Sequence, residues 1–519
     1  MTLQYTLKRL TLLAAVSLVI LLITSNLNGS GGLLTLLSIN QVTNPPASAA
    51  SYRFEPSTVS NLAGGWVTSW DDLGTTRGNA NNPKAYTSSW NGSNWSAPTE
   101  HRSPANGPYL CADVPLGDLY TYWDSGRNKF LMVATEFGTV VHCIWIRYST
   151  DSTGSSWQPF QLVMKGNNTG PIAWDFPSVT VSQTNGRIVV GASKLVAEKN
   201  VGYYTSFSDD GVNWSCPVSV NGPAGGAVSR IVASSSGFHA FVPLDDTSQN
   251  MRTLQHWFST NGTSWSAQSP IATPYGIPLL SSDTFITTVD GNQNTVTGGL
   301  SFATELDVAT SSTLGWVIAY PLNIAGKNAI NIATEFGGGV TITHTDHLFS
   351  HGITASSAGD WYLKYQTYQA NTNFQYIQEG VVYRPPGSNP GYLGAILQQN
   401  IDLSLLFYFD STAGRCRTSK CFSSGDYFRP AMDNLTKASI PMILGGSQFT
   451  NLHQALIMDP AVSNLPQFLP KIEVLGNGAN LLAKAVVTPA HAKHIELGQF
   501  KFRVSSFNHA WLIQRGLLK

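Results

Sequence analysis

Four stretches of this sequence repeat one pattern: "SWNGSNW" at 89–95, "STDSTGSSW" at 149–157, "SDDGVNW" at 208–214 and "STNGTSW" at 259–265. The shared positions are Ser89, Asn91, Gly92 and Trp95; Ser149, Asp151, Gly154 and Trp157; Ser208, Asp210, Gly211 and Trp214; and Ser259, Asn261, Gly262 and Trp265. Successive tryptophans are 62, 57 and 51 residues apart. Self-similarity at such an interval marks a repeat architecture, in which each unit buries its apolar faces only against its neighbours. The interval suits one four-stranded unit per repeat.

An alternating run precedes the later patterns ("VHCIWIRY", "NVGYYTSF", "MRTLQHWF") and a polar strand comes after, so the pattern is a turn between strands. Its composition suits that role. Asp or Asn can accept bonds from backbone amides two residues on, Gly adopts the positive φ that other residues resist, and Trp buries a large face between sheets. Asp209 and Asp210 in isolation resemble the paired carboxylates of a glycosidase; as part of a recurring turn they belong to the scaffold. There are two further, degenerate copies, "SSTLGW" at 311–316 and "SSAGDW" at 356–361, and "ATEFG" occurs at both 134–138 and 333–337. The apolar runs "KFLMVAT", "RIVVGAS" and "GFHAFVP" read as buried inner strands.

Composition agrees with an all-β chain. Of 519 residues, 47 are Gly, 14 Trp and 19 Tyr, which suits short strands and tight turns. Charged residues make up 12%, and 30 basic residues cancel 30 acidic ones, so no field favours nucleic acid. The start carries Lys8 and Arg9 before the uncharged run "LTLLAAVSLVILLIT", the form of an export signal. Cleavage after Ala49 is the preferred reading; an uncleaved anchor giving membrane attachment is the alternative. The chain is expected outside the cytoplasm, secreted or at the cell surface. Of five cysteines, Cys416 with Cys421 is the nearest bridge in sequence and Cys111 with Cys143 a second pairing.

The recurring Ser-x-Asp-(x)-Gly-x-x-Trp resembles the Asp box, or BNR repeat, of the sialidase superfamily of β-propellers. The resemblance spans about residues 64–430 and implies a six- or seven-bladed β-propeller. Units read at 64–100, 117–163, 172–220, 227–271, 278–322, 329–370 and 374–430. The resemblance also implies what catalysis would need: arginines gripping a carboxylate, a Tyr activated by Glu, and an acidic group, converging at the ring centre. The candidates are Arg53 and Asp175, in "YRFEP" and "WDFP", with Tyr383 and Arg384 in "VVYRPP" and Tyr427 and Arg429 in "GDYFRP". "YRFEP" departs from the family's Arg-Ile-Pro, and the strand after Asp175 ends in Ser193 and Lys194 where the family has Arg.

Residues 1–50 form the export segment and linker, 51–430 the propeller, 431–469 a linker and 470–519 a tail. "PKIEVLGNGANL" and "HIELGQFKFRVSSFNHAWLIQRG" resemble the opening half of immunoglobulin-like choice-of-anchor (Hydin-related) domains, implying a small immunoglobulin-like β tail, whole or truncated. Half a sandwich would leave strand edges for a partner chain. Neither "DGNQN" at 290–294 nor the group His344, Asp346, His347 and His351 meets the pattern of a calcium or zinc site, so no metal or cofactor is expected. The function expected is recognition of a glycan, glycoprotein or surface protein without catalysis. The alternatives are an exo-sialidase-type glycoside hydrolase and a structural surface protein.

Overall fold

A computed structural model of the chain describes its strands and part of the turns joining them. Outside the described residues lie 1–34, 42–52, 73–83, 105–115, 137–141, 168–171, 223–227, 247–250, 277–284, 290–294, 301–305, 325–326, 344–346, 370–375, 385–391, 401–406, 411–419, 424–428, 433–436, 445–450, 459–469, 476–481 and 488–519, with a few single positions, Asn91 among them. The export segment, "DGNQN", His344, Asp346 and Tyr427 therefore fall outside them.

Strand β1 (Thr35–Gln41) precedes the first blade and belongs to a different sheet. That blade is β2 (Arg53–Ser60), β3 (Trp66–Asp72), β4 (Lys84–Trp90) and β5 (Thr99–His101). The second is β6 (Leu116–Asp124), β7 (Lys129–Glu136), β8 (Ile144–Tyr148) and β9 (Gln161–Met164). The third is β10 (Ile172–Val181), β11 (Ile188–Val196), β12 (Lys199–Ser208) and β13 (Val218–Ser219). The fourth is β14 (Arg230–Ser234), β15 (Gly237–Asp246), β16 (Met251–Ser259) and β17 (Ser266–Ala267), with β18 (Ala272–Gly276) also on β16. Strands β19 (Phe285–Val289) and β20 (Thr295–Leu300) precede the fifth blade, β21 (Asp307–Ser311), β22 (Gly315–Ile324), β23 (Lys327–Thr334) and β24 (Val340–Ile342).

Next come β25 (His347–Ala355), β26 (Trp361–Gln369), β27 (Tyr376–Arg384) and β28 (Tyr392–Asn400), then β29 (Phe407–Asp410) and β30 (Lys420–Ser423). The last are β31 (Ala431–Met432), β32 (Lys437–Leu444), β33 (Asn451–Met458), β34 (Pro470–Leu475) and β35 (Leu482–Val487). No helix occurs among the described residues. Strands β2, β6, β10, β14, β21, β25 and β31 touch one another in a closed cycle, so the fold is a β-propeller.

Five blades are regular four-stranded meanders, where six or seven were expected. The rest of the circle is irregular. Strands β25 to β28 carry the β34–β35 hairpin at their outer edge, β28 and β34 running parallel; the other sheet joins β1 to β33, β32 and β31. The expected unit 278–322 is not a blade: the β19–β20 hairpin joins the β29–β30 hairpin through β20 and β30, which run parallel, and the fifth blade opens at Asp307. The hairpin β34–β35 lies in the segment read as an immunoglobulin-like tail, and β31 to β33 lie in the stretch read as a linker.

Two expectations about the strands change. "KFLMVAT", "RIVVGAS" and "GFHAFVP" are the second strands β7, β11 and β15, not the innermost. A second strand is covered on both faces and edges, so its sequence is continuously apolar; the innermost strand lines the axis and carries Ser57, Thr58, Thr121, Ser178 and Thr180, all buried. The degenerate copies are also misplaced. "SSTLGW" joins β21 to β22, with Ser311 paired to Gly315, and "SSAGDW" joins β25 to β26, whereas the four full patterns lie between third and fourth strands. Connections of three and five residues close these hairpins, shorter than the turns that hold the full patterns. "ATEFG" likewise ends a second strand at Glu136 but a third strand at Thr334.

Four apolar clusters fill the gaps between successive blades. The pattern tryptophans reach back into them: Trp157 packs between blades one and two, Trp214 between two and three, Trp265 between three and four. Because sequential strands are antiparallel, first-to-second and third-to-fourth turns lie on one face of the ring, here the lower. The starts of the inner strands and the second-to-third connections lie on the other, upper face.

Candidate functional site

The lower face is a ring of interlocking turns. In the third blade Gly211 N donates to Ser208 Oγ (2.8 Å), while Val212 N and Asn213 N both donate to Asp210 Oδ1 (2.8 Å each). These bonds hold the Asp210 carboxyl well below the usual carboxylate range. Asn261 Oδ1 accepts from Thr263 N (2.9 Å) and Asp151 Oδ1 from Thr153 N (2.9 Å) in the equivalent turns. Asp209 does something else. Arg187 grips it through two bonds (2.6 and 2.8 Å) and donates through its third nitrogen to Asn261 O of the fourth blade (2.8 Å).

Arg127 of the second blade donates to Gly186 O and Asp209 O of the third (3.0 and 3.2 Å). Asn61 Nδ2 reaches Ser152 O from the first blade to the second (3.0 Å), Ser236 Oγ reaches Glu335 Oε1 from the fourth to the fifth (2.9 Å), and Ser312 and Thr313 reach Ser357 O (2.7 and 2.8 Å). The two aspartates therefore hold a turn and tie blades together. Asp210→Ala is expected to lower the unfolding midpoint in urea while leaving ligand affinity of the folded protein unchanged; an affinity loss at full folding would place this turn in a binding site.

The axis holds a charged cluster assembled from distant parts of the chain. Arg429 O accepts from Thr58 N (2.9 Å), which fixes the backbone of residue 429 alongside β2. Its guanidinium pairs with Asp307 Oδ1 (2.9 Å) and lies flat over the Tyr120 ring, 4.1 Å from the centroid. Longer bonds run from it to Thr121 O and Val308 O (3.4 Å each). Arg230 approaches the Tyr120 ring at 5.5 Å. Asp307 Oδ2 accepts from Ile353 N (2.8 Å), and Tyr203 shares a hydrogen bond with Ser178 Oγ (2.8 Å).

Most of this is buried: Arg230 is 1% exposed and Tyr120 3%, while the Arg429 side chain keeps 15% of its surface exposed. Burial pushes the Tyr120 hydroxyl up, against the pull of Arg429 and Arg230 and with the help of Asp307. That is the opposite of what activates a phenolic nucleophile. Sequence reasoning found Arg429 but missed Tyr120, Asp307 and the role of Arg230. No local motif marks them, since their only common property is position on the innermost strands.

The upper face is shaped by bulges. In β2, β6 and β10 the register against the second strand slips at the same place, between Phe54 and Ser57, Gly117 and Tyr120, and Asp175 and Ser178. Asp118 and Phe176 take φ of 48° and 52° there, conformations unusual for such residues. Bulges of this kind re-aim side chains and recur beside functional sites. "YRFEP" and "WDFP" are thus equivalent segments of blades one and three, and Arg53 and Asp175 stand at the same edge of the ring in separate blades.

Asp175 Oδ1 accepts from its neighbour Phe176 N (2.9 Å) and is half-buried; the Arg53 side chain lies outside the described residues. At the same end of blade three Trp174 and Tyr204 meet edge to face at 5.5 Å, with Lys194 Nζ 5.1 Å from the Tyr204 ring. Glu136, ending β7, is fully buried; burial pushes it up to about 7 while the Trp145 indole donates to it (2.5 Å) and pulls the other way.

Tyr383 and Arg384 lie at the end of β27, opposite Tyr362 and Trp361, with side chains outside the described residues. The structure thus places Arg429 at the axis and Asp175 at the upper rim, and does not bring them into contact. His351 is buried, its Nε2 donating to Ala319 O (3.2 Å). Among the described residues no group of three metal-ligating side chains converges. Cys143 is disulfide-bonded to a residue outside the described set, and Cys216 is a free, exposed thiol.

No family model matches this chain, and no curated protein matches it. Among solved structures it is similar to an intramolecular trans-sialidase from leech complexed with 2,7-anhydro-Neu5Ac, at 13% identity over 66% of this chain and 68% of that one, TM-score 0.42. It is similar to the intramolecular trans-sialidase of Ruminococcus gnavus in complex with oseltamivir carboxylate, at 12% identity over 65% and 95%, TM-score 0.41. A third is the α-L-arabinofuranosidase Arb93A of Fusarium graminearum, at 11% identity over 68% and 98%, TM-score 0.39. The likeness to these sialidase and glycosidase propellers is one of fold.

Proposed function

We propose that this protein is an exported propeller of the Asp-box type that binds extracellular glycans or glycoproteins at its upper face without catalysing their cleavage. The observation that carries the reading is the closure of the axis. The guanidinium of Arg429 is ion-paired with Asp307, lies over Tyr120 and makes two long contacts to backbone carbonyls, so a substrate carboxylate would have to displace Asp307 to be gripped. Recognition then falls to the rim, where the bulged inner strands and the half-buried Tyr204, Lys194 and Asp175 offer a sugar a ring face, an ammonium and a carboxylate. The basic start and apolar run of residues 8–24 support placement outside the cytoplasm.

A glycan array probed with the purified protein is expected to give binders, and Tyr204→Ala to weaken the best of them by about tenfold, the scale of one aromatic contact. Release of fluorophore from a sialoside by the same preparation would refute the binding-only reading. An array with no ligand would leave a structural surface role.

A further inference from the structure

The seam between blades four and five carries a histidine pair that glycan recognition at the rim does not use. His239 stands on β15 and His256 on β16, both turned toward blade five. His239 Nδ1 and His256 Nε2 are 2.9 Å apart, and the rings stack with centroids at 5.2 Å and planes at 20°. Phe241 stacks on His256 at 5.0 Å, Phe258 lies 5.1 Å from His239, and Trp316 of β22 presents its edge to His256 at 5.5 Å.

On the far side of His239, Nε2 lies 3.0 Å from both Ser234 Oγ and Ser236 Oγ and 3.7 Å from Glu335 Oε1. Glu335 belongs to blade five. It accepts from Ser236 Oγ (2.9 Å) and, through Oε2, from Trp316 N of its own blade (3.2 Å). One continuous chain of bonds therefore runs from His256 through His239 and the serines across the seam to Glu335.

An N···N contact of this length is a hydrogen bond only while one of the two nitrogens is bare. With both rings cationic, two N–H groups would face each other inside an aromatic cage. We propose that the His239–His256 pair is an acid-released latch, closed while the pair is neutral and opening the seam between blades four and five when both rings are protonated. The charged groups facing the pair are Glu335 from blade five and each imidazole toward the other; β14 and its turn contribute only Ser234 and Ser236.

The direction of the response is set by the burial. Burial holds His239 down to about 4; burial and then His239 hold His256 to about 4, with Glu335 opposing. A base depressed on folding contributes stability that is present above its unfolded value near 6.5 and lost as pH falls through about 4. Each such histidine raises the local opening constant roughly a hundredfold between neutral pH and pH 4.

Burial lowers His101 and His351 in other blades as well, so the test must be local. Amide hydrogen exchange, corrected for intrinsic rates, should be followed from pH 7 to pH 4 in peptides covering 251–259 and 315–324, with 129–136 of blade two as reference. The seam peptides are expected to lose protection first. His256→Phe keeps the stack and removes one of the two titrations, so acid opening of its seam should shrink by roughly a hundredfold, leaving the part that His239 carries. Should that variant fail to fold, His256→Gln serves in its place. Simultaneous loss of protection in all blades, or an unchanged acid response in the variant, would overturn the latch. None of these outcomes depends on glycan binding.

Discussion

Gly211→Ala is expected to destabilise the protein by about 3 kcal/mol, while Gly92→Ala, the same substitution at the equivalent position of the first blade, costs about 1 kcal/mol. Both glycines hold positive φ, 78° at Gly211 and 99° at Gly92, so both variants carry the backbone penalty of an L-residue there. They differ in what a methyl group meets. At Gly92 it finds open space, whereas at Gly211 it overlaps the Tyr148 hydroxyl and stands 2.9 Å from Cζ of that ring. Tyr148 belongs to the cluster between blades two and three, beside Leu131, Ile146 and Ile188, and close-packed cores yield little. Gly154 and Gly262 meet Val67 and Val189 of their preceding blades in the same way, so the glycine sets the spacing between blades as well as the turn. Urea denaturation of the two variants would decide it. Equal losses would mean that Tyr148 moves aside freely and that the glycine serves the turn alone.

How much of this was legible depends on the range over which each feature is encoded. The turns were, because Ser208, Asp210 and Gly211 bond one another within four residues and leave a local signature. The dual use of the pair was not: Asp209 looks interchangeable with Asp210 until Arg187, 22 residues away, closes on it. Inner and second strands were exchanged because apolarity tracks coverage on both faces rather than nearness to the axis, and the innermost strands here carry hydroxyls. The fifth blade was misplaced because Trp316 repeats the spacing of the pattern while starting a second strand. At the upper rim, "YRFEP" and "WDFP" were singled out as imperfect motifs, and what they share is a bulge in the first strand of their blades. The axial cluster had no signature at all, since residues 120, 230, 307 and 429 meet only when the ring closes.

That closure makes Arg429→Ala the second large effect, an expected loss of about 3 kcal/mol or more. Removing one partner of a buried ion pair strands the other, and the cost of an uncompensated charge is roughly 3–5 kcal/mol. Here Asp307 would keep only its bond from Ile353 N, and the face of Tyr120 would lose the closer of its two guanidinium groups. Arg429→Lys should recover part of the loss, because an ammonium restores the charge but not the flat stack on Tyr120 or the fork that reaches Thr121 and Val308. Asp307→Asn tests the pair from its other side, and the double variant should lose less than the two single losses combined. The measurement is a denaturation series on the four proteins. Its outcome bears on function as well as on stability. A loss near 3 kcal/mol identifies Arg429 as the pin that joins the last strands to blades one, two and five, and leaves the ring centre sealed by its own side chains. A loss below about 1 kcal/mol, the value of an exposed pair, would mean that the guanidinium is free to exchange Asp307 for an incoming carboxylate, and would return the axis to consideration as a catalytic site.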